Sequence, residues 1–401
     1  MLKIRHTYKR HDKLNDIGDI MKFSLIFLAF SLFFLGVGGG IGYYWIAKAF
    51  RRQIIVYSQA ETLGKLLNRE QKKAISHAYH KKTEVIKDID NYSWSVPIVI
   101  SPFVGHGCRP GQHNNAYINS MQFRANQELI MPKPVNTYRI FLTGGSTAFS
   151  SGAPSQDRTI AAYLSQIINE DLSTSTNMTY EVFTMATPAW ASTHERIIIE
   201  NRLSEFEPDV VISFSGNNDV HWGAQGRNIF WFRSYADEFY YQLLNMVYTI
   251  SMSKKMPDVV QIQSEKVSPS LVADRLEKNI KLSAYALSLQ EIPFIFCLQP
   301  TLAFTKKALT HVGTQQTNKS DWKEYFRECY EEIDEHLSKL QLANFTYINL
   351  SNILDERSDD EELFLDSYHF GDKGNEIIAG QIYRQIKSII ISSKPFSMRQ
   401  Q

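Results

Sequence analysis

From residue 23 onwards, the pattern of apolar and polar positions divides the chain into four stretches. Residues 23–47 contain no charged residue, whereas residues 51–90 are basic and carry apolar residues at loosely helical spacing. Residues 91–134 are interrupted by five prolines, which predicts irregular structure or short strands. After residue 134, short apolar runs alternate with longer stretches of helical periodicity. This alternation is typical of a parallel sheet with helices on both faces.

The alternating stretch predicts one α/β domain over residues 135–395. The expected strands are 138–142, 180–185, 210–214, 293–298 and 345–350. The expected helices lie near 157–172, 192–205, 271–290, 322–341 and 373–392. Because ligands bind at the carboxyl ends of the strands in such sheets, the residues that follow each strand are the first candidates for chemistry.

The uncharged run 23–47 is long enough to cross a membrane, since a spanning helix requires about 20 apolar residues. Tyr43, Tyr44 and Trp45 stand at its far end, where aromatic side chains favour the headgroup region. The alternatives are a cleaved signal peptide, whose apolar region is usually about 7–15 residues long, and a helix buried in a soluble core. The length of the run favours an uncleaved transmembrane helix.

The segments on either side of this helix are both basic. Lys and Arg are slightly more frequent on the N-terminal side, which favours a cytoplasmic segment 1–22 and a body outside the cytosol. Residues 48–90 are expected to form a helical stalk next to the membrane. The stalk is either a solvated charged helix or a helix in contact with lipid headgroups.

Composition excludes two classes of protein. The chain has 43 basic and 42 acidic residues, for a formal net charge of +1, which excludes a globally basic nucleic-acid-binding protein. Three cysteines are too few for a disulfide-rich scaffold. We therefore expect no nucleic-acid partner, and the sequence identifies no protein partner.

Polar residues with catalytic potential follow three of the predicted elements. Ser146 lies in TGGSTAF, Asn218 in SGNNDVHWG, and Asp366 precedes His369 by three residues in FLDSYHFGDKGN. Taken singly, they are compatible with a helix-capping serine, an Asx turn and an exposed loop histidine. Together they would supply a nucleophile, an oxyanion donor, an orienting carboxylate and a base.

These blocks resemble the SGNH (GDSL-like) hydrolase superfamily over roughly residues 135–392. The first block reads GGST where the family usually has Gly-Asp-Ser, a variant of envelope-associated members, and YINSMQFRANQEL is similar to their lead-in. The resemblance implies a flavodoxin-like α/β/α fold and ester cleavage by a serine nucleophile. The positions that match family motifs are Ser146, Gly216, Asn218, Asp219, Asp366 and His369.

The second block departs from the family. It reads FTMATPAWAST, and Ala189 stands nearest to the usual glycine. The resemblance implies an oxyanion hole made by the backbone N–H groups of Ser146 and Ala189 and the side chain of Asn218. Alanine retains the N–H but disfavours positive φ, so the departure matters only if the backbone is left-handed there. The resemblance assigns supporting roles to Gly145, Gly216 and Asp219.

Other polar residues are weaker candidates. His106, Cys108 and His113 cluster in sequence, but three ligands without a second pair do not predict a metal site, and no metal or cofactor is expected. Cys297 and Cys329 are expected to be ordinary buried and helical residues. Residues that either contact substrate or pack structurally are His194, His221 and the aromatic stretch 228–244.

The function predicted from the sequence is that of a membrane-anchored serine esterase outside the cytosol. By analogy with envelope members of the family, its substrates would be carbohydrate esters such as O-acylated saccharides. One alternative is an O-acyltransferase, in which a sugar hydroxyl replaces water at the same site. The other is a non-catalytic SGNH-like protein that spans the membrane once and binds a glycan or partner, as the basic stalk and Ala189 suggest.

Overall fold

The chain forms two compact units in a computed structural model, Met1–Gln59 and Ala60–Gln401. The aromatic stretch 228–244, which was a candidate substrate groove, lies outside the described residues. The structure describes residues 8–58, 67–92, 96–101, 103–226, 248, 265–306, 320–358, 361–393 and 395.

The described part of the first unit is a single helix, α1 (Tyr8–Ser58). Its segment Met21–Lys48 is long and apolar enough to cross a membrane, and no part of its most apolar window is buried within the protein. Phe23 and Leu35, for example, are exposed along this segment. By length and composition, the helix suits a membrane span or a signal sequence.

The second unit contains strands and helices in alternation. Its strands are β1 (Ile98–Ser101), β2 (Gly105–Cys108), β3 (Gly111–His113), β4 (Ala116–Ile118), β5 (Thr137–Gly144), β6 (Thr179–Ala186), β7 (Val210–Ser215), β8 (Phe294–Leu298) and β9 (Phe345–Asn349). Its helices are α2 (Arg69–Ser76), α3 (Lys82–Asp88), α4 (Ile160–Thr176), α5 (Ser192–Asn201), α6 (Asn217–Ala224), α7 (Pro269–Ser288), α8 (Ser320–Ser338) and α9 (Asp372–Ser392).

A five-stranded parallel sheet with the order β6-β5-β7-β8-β9 forms the centre of this unit. Numbered along the chain, this is the 2-1-3-4-5 order of flavodoxin-like folds. Successive residues of β5 face two separate apolar cores. Ile140 and Leu142 pack with α4 and α9, whereas Phe141 packs with α5, α7 and α8. The predicted three-layer α/β/α fold is therefore confirmed by the topology of the chain itself.

Residues 67–92 pack on the α/β body, so the predicted stalk (48–90) is not one continuous element. Helix α1 ends at Ser58, and α2 and α3 belong to the second unit. Of the apolar residues that suggested loose helical periodicity, Ile75 is buried in a cluster against a loop near the C-terminus, whereas Ile86 is exposed. This cluster comprises Ile75, Ala78, Tyr79, Val85, Ile89, Tyr92 and Leu365.

The lead-in segment 91–134 contains two short hairpins, β1–β2 and β3–β4. Beyond them, the backbone N–H of Arg124 donates to the carbonyl of Thr184 on the edge strand β6 at 2.9 Å. The buried guanidinium of Arg124 donates to the carbonyl oxygens of Phe149 and Ser150 at 2.7 and 3.0 Å. The lead-in segment therefore contacts the turn that follows β5.

Candidate active site

Ser146 lies in a tight turn directly after β5. Gly144 has a φ of +150°, and a Cβ at this position would overlap the carbonyl oxygen of Phe214 on the neighbouring strand. The chain then bends at once, with the N–H of Phe149 donating to the carbonyl of Gly145 at 3.0 Å. This sharp bend leaves Ser146 at the carboxyl edge of the sheet and partly exposed.

Ser146, His369 and Asp366 form one continuous line of hydrogen bonds. Nε2 of His369 lies 2.8 Å from Oγ of Ser146, and Nδ1 of His369 lies 2.6 Å from Oδ2 of Asp366. The other carboxylate oxygen of Asp366 accepts the backbone N–H groups of Tyr368 and His369 at 2.8 and 2.9 Å. The structure thus brings the hydroxyl of Ser146 next to an imidazole and a carboxylate from a distant part of the sequence.

The electrostatics of His369 and Asp366 follow from their pairing. Burial disfavours protonation of His369, but the charge of Asp366 and its hydrogen bond outweigh burial and raise the pKa of His369 above its ordinary value. Burial also acts to raise the pKa of Asp366. The charge of His369 and the hydrogen bonds that Asp366 accepts outweigh this effect and lower its pKa. Asp366 therefore stays ionised while it supports a protonated imidazole.

Asn218 lies beside the residue that precedes Ser146. Its Nδ2 donates to the carbonyl oxygen of Trp190 at 2.6 Å, and it occupies the space that a Cβ on Gly145 would need. Helix α6 begins one residue earlier, after Gly216 with a φ of +106°. The sequence suggested an Asx turn here as the alternative to a catalytic role, and α6 was not predicted.

Ala189 adopts a left-handed backbone conformation, with a φ of +72°. This region favours glycine, so the departure from the family pattern affects the backbone and not only the side chain. The loop is fixed on both sides of Ala189. Nε2 of His106 lies 3.1 Å from the carbonyl of Pro188, Nε1 of Trp190 donates to the carbonyl of His106 at 3.0 Å, and Nε1 of Trp222 donates to the carbonyl of Ala189 at 3.4 Å.

Asp219 holds the start of α5. Its buried carboxylate accepts the backbone N–H of Ser192 at 3.0 Å and the Ser192 hydroxyl at 2.5 Å, at the start of α5. Burial raises the pKa of Asp219 to about 6. The sequence did not indicate its neighbour Glu195, which is also buried, accepts the Ser213 hydroxyl at 2.5 Å and has a pKa raised by burial to about 7.

The weaker candidates have structural partners. The His194 ring stacks on Trp190 at a centroid distance of 6.3 Å. The pKa of His194 is held well below its ordinary value, mainly by burial and to a smaller extent by the nearby His106. Nδ1 of His221 lies 3.2 Å from the hydroxyl of Tyr368. In the described part of the chain, the possible ligand atoms of His106, Cys108 and His113 do not lie close enough together to share a metal ion. The buried thiols are Cys108, Cys297 and Cys329.

No protein-family model and no curated protein match the chain. Among solved structures, it is similar to the acetyl xylan esterase AlAXEase, with 17% identity, a TM-score of 0.35, and coverage of 62% of this chain and 99% of that chain. It is similar to a GDSL-like lipase from Bacteroides thetaiotaomicron (11%, TM-score 0.35, coverage 63% and 88%). It is also similar to the lipase Lip_vut3 from a goat rumen metagenome (10%, TM-score 0.39, coverage 62% and 96%).

Proposed function

We propose that the chain is a serine esterase that hydrolyses acyl or acetyl esters. The observation that carries the proposal is the line of hydrogen bonds from Asp366 through His369 to Ser146, with lengths of 2.6 and 2.8 Å. A hydroxyl paired with an imidazole, which is itself oriented by a carboxylate, is the general arrangement of an activated nucleophile.

In the proposed reaction, Nε2 of His369 accepts the Ser146 proton as Oγ attacks the ester carbonyl carbon. The tetrahedral intermediate collapses, the C–O bond to the alcohol breaks, and His369 returns the proton to the departing alcohol. Water then attacks the acyl-enzyme, giving its proton to His369, and the acid leaves as Ser146 is reprotonated. Asp366 holds the imidazole and stabilises its protonated form throughout.

The oxyanion of the intermediate would be bound by three donors: the backbone N–H groups of Ser146 and Ala189 and the side-chain amide of Asn218. The side-chain amide nitrogen of an asparagine carries two hydrogens, and Asn218 donates one of them to the carbonyl of Trp190. That bond fixes the amide beside Gly145 and orients the second hydrogen. Loss of one such donor typically lowers kcat by about 10²–10³.

The proposed location is a membrane, with α1 as the anchor, residues 1–22 in the cytosol and the catalytic body outside. The apolar segment Met21–Lys48 supports the anchor, and the slight excess of basic residues before it supports the orientation. The proposed substrates are O-acylated saccharides of the cell envelope, by analogy with the family that the sequence resembles.

The test is hydrolysis of p-nitrophenyl acetate by the full-length chain in detergent. Ser146→Ala is expected to lower kcat by a factor of about 10⁴ or more and to abolish labelling by a fluorophosphonate. The control is Ser151→Ala, which removes a buried hydroxyl that has no hydrogen-bond partner among the described residues. It is expected to retain activity. The proposal would be overturned if Ser146→Ala hydrolysed the ester at the wild-type rate, or if the wild-type protein did not hydrolyse it.

A second candidate is a non-catalytic binding protein with the same fold, and the left-handed conformation of Ala189 is the observation that favours it. Glycan binding unaffected by Ser146→Ala, without turnover or a covalent adduct, would support it. An O-acyltransferase would use the same residues with a sugar hydroxyl in place of water. Acetyl transfer to an added saccharide in excess of hydrolysis would identify that activity.

A further inference from the structure

The Tyr79 hydroxyl reaches the turn that carries the candidate nucleophile. The side chain is fully buried, and its hydroxyl donates a 2.7 Å hydrogen bond to the carbonyl oxygen of Gly152. Gly152 has a φ of +83° and closes the turn that begins at Gly145 and contains Ser146. A residue from the segment between the apolar helix and the sheet therefore contacts the nucleophile turn directly.

The same segment packs against both ends of loop 363–371, which carries the candidate base and its carboxylate. Leu365, directly before Asp366, is buried in one cluster with Ile75, Tyr79 and their apolar neighbours. At the other end, Gly371 lies so close to the carbonyl oxygen of Ala78 that a Cβ would overlap it. The loop is also closed on itself, because the N–H of Leu365 donates to the carbonyl of His369 at 2.8 Å.

Two hydrogen bonds attach the start of α9 to the same segment. The backbone N–H of His80 donates to Oδ1 of Asp372 at 2.9 Å, and the ammonium group of Lys373 donates to the carbonyl of His77 at 3.0 Å. Helix α9 begins at Asp372, three residues after His369. Residues 77–80 are thus hydrogen-bonded both to the turn that contains Ser146 and to the helix that follows His369.

We propose that residues 75–80 form a positioning clamp for the catalytic site, in which Tyr79 sets the separation of Ser146 from His369. The inference rests on the proposed esterase function and deepens it, because it adds a positioning residue outside the family motifs. The nucleophile turn follows β5, whereas loop 363–371 precedes α9. A buried hydroxyl bound to the first and packed beside the second restrains one against the other.

The test compares two variants of the full-length chain in detergent. Tyr79→Phe keeps the buried ring and removes only the hydrogen bond to Gly152. Because small misplacements of reacting groups are costly, we expect kcat for p-nitrophenyl acetate to fall about tenfold while KM stays within about twofold. The matched control is Tyr92→Phe, because Tyr92 belongs to the same cluster and its ring lies 6.1 Å from that of Tyr79. It is expected to keep the wild-type kcat.

Hydrogen exchange measured by mass spectrometry reports on the clamp without turnover. Exchange is expected to rise in residues 146–152 and 363–371 of Tyr79→Phe, and to stay at the wild-type level in Tyr92→Phe. Wild-type kcat and exchange in Tyr79→Phe would overturn the clamp, as would equal losses of kcat in both variants. An inactive wild type with raised exchange in Tyr79→Phe would overturn the esterase proposal and support the clamp.

Discussion

The side-chain amide of Asn218 occupies the position that a Cβ of Gly145 would take. Gly145 directly precedes the candidate nucleophile Ser146 in sequence, and Asn218 lies in the first turn of α6. The two residues come from neighbouring strand ends, since β5 pairs with β7. The residue before Ser146 is therefore glycine because the adjacent donor needs its space.

Gly145→Ala is expected to displace the Asn218 amide and to lower kcat by about 10²–10³, the usual effect of losing one oxyanion donor. Steady-state kinetics with p-nitrophenyl acetate and a thermal melt measure the loss and confirm folding. The control is Gly380→Ala on α9, where a Cβ meets no atom within 4 Å. It is expected to keep activity and to stabilise the helix by roughly 0.5–1 kcal/mol. A wild-type kcat in Gly145→Ala would contradict the role of Asn218.

The pH dependence of kcat/KM is expected to report the raised pKa of His369. His369 must be neutral to accept the Ser146 proton, so kcat/KM rises with pH through this pKa and then levels off. In Asp366→Asn the negative charge is lost and burial remains, so the acid limb moves to lower pH while kcat falls by about 10⁴. Profiles of both proteins measure the two effects. An acid limb that stayed in place would show that Asp366 does not set the pKa of His369.

Ala189→Gly is expected to stabilise the protein. The left-handed conformation costs a non-glycine residue about 1–2 kcal/mol, and the greater freedom of glycine in the unfolded chain offsets about 0.4–1 kcal/mol of the relief. The free energy of unfolding should therefore rise by up to about 1.6 kcal/mol in urea titrations. Ala284→Gly is the control, since Ala284 is buried in the right-handed interior of α7 and gains no relief, so this variant should be destabilised. Equal effects of the two substitutions would argue against strain at Ala189.

The buried carboxyls Glu195 and Asp219 are expected to make the protein less stable as pH rises. Burial raises their pKa values to about 7 and about 6, so the folded chain retains protons that the unfolded chain releases near its ordinary pKa of about 4. The free energy of unfolding should therefore fall between about pH 4 and about pH 7. Glu195→Gln cannot ionise and should flatten the upper part of this fall. Urea titrations across that range measure it, and an unchanged slope in Glu195→Gln would refute the assignment.

The sheet could be predicted from the sequence because its central strands β5, β7 and β8 are buried on both faces. The predicted strand 138–142 lies within β5, and the other four overlap their strands closely, since continuous apolar runs mark such strands. Ser146, Asp366 and His369 could be proposed as a group because parallel strand ends share one edge.

Other features depend on contacts that local sequence does not encode. Helix α6 begins at Asn217 after a glycine, in a run of asparagine and aspartate that is typical of turns, and tertiary packing overrides that preference. The backbone conformation of Ala189 is fixed by bonds from His106 and Trp222, which lie far away in sequence. The packing of residues 67–92 was not predicted because their basic, loosely helical pattern resembles that of a solvated helix.

The burial of Leu365 beneath residues 75–92 also bears on where the chain can be cut. A protease acting before Leu67 would separate the body from its apolar helix and leave every contact of the clamp intact. A protease acting after Tyr92 would sever the clamp from the sheet without cutting the chain between Ser146 and His369. The site of cleavage would therefore decide whether the released body keeps the restraint that the clamp places on Ser146 and His369.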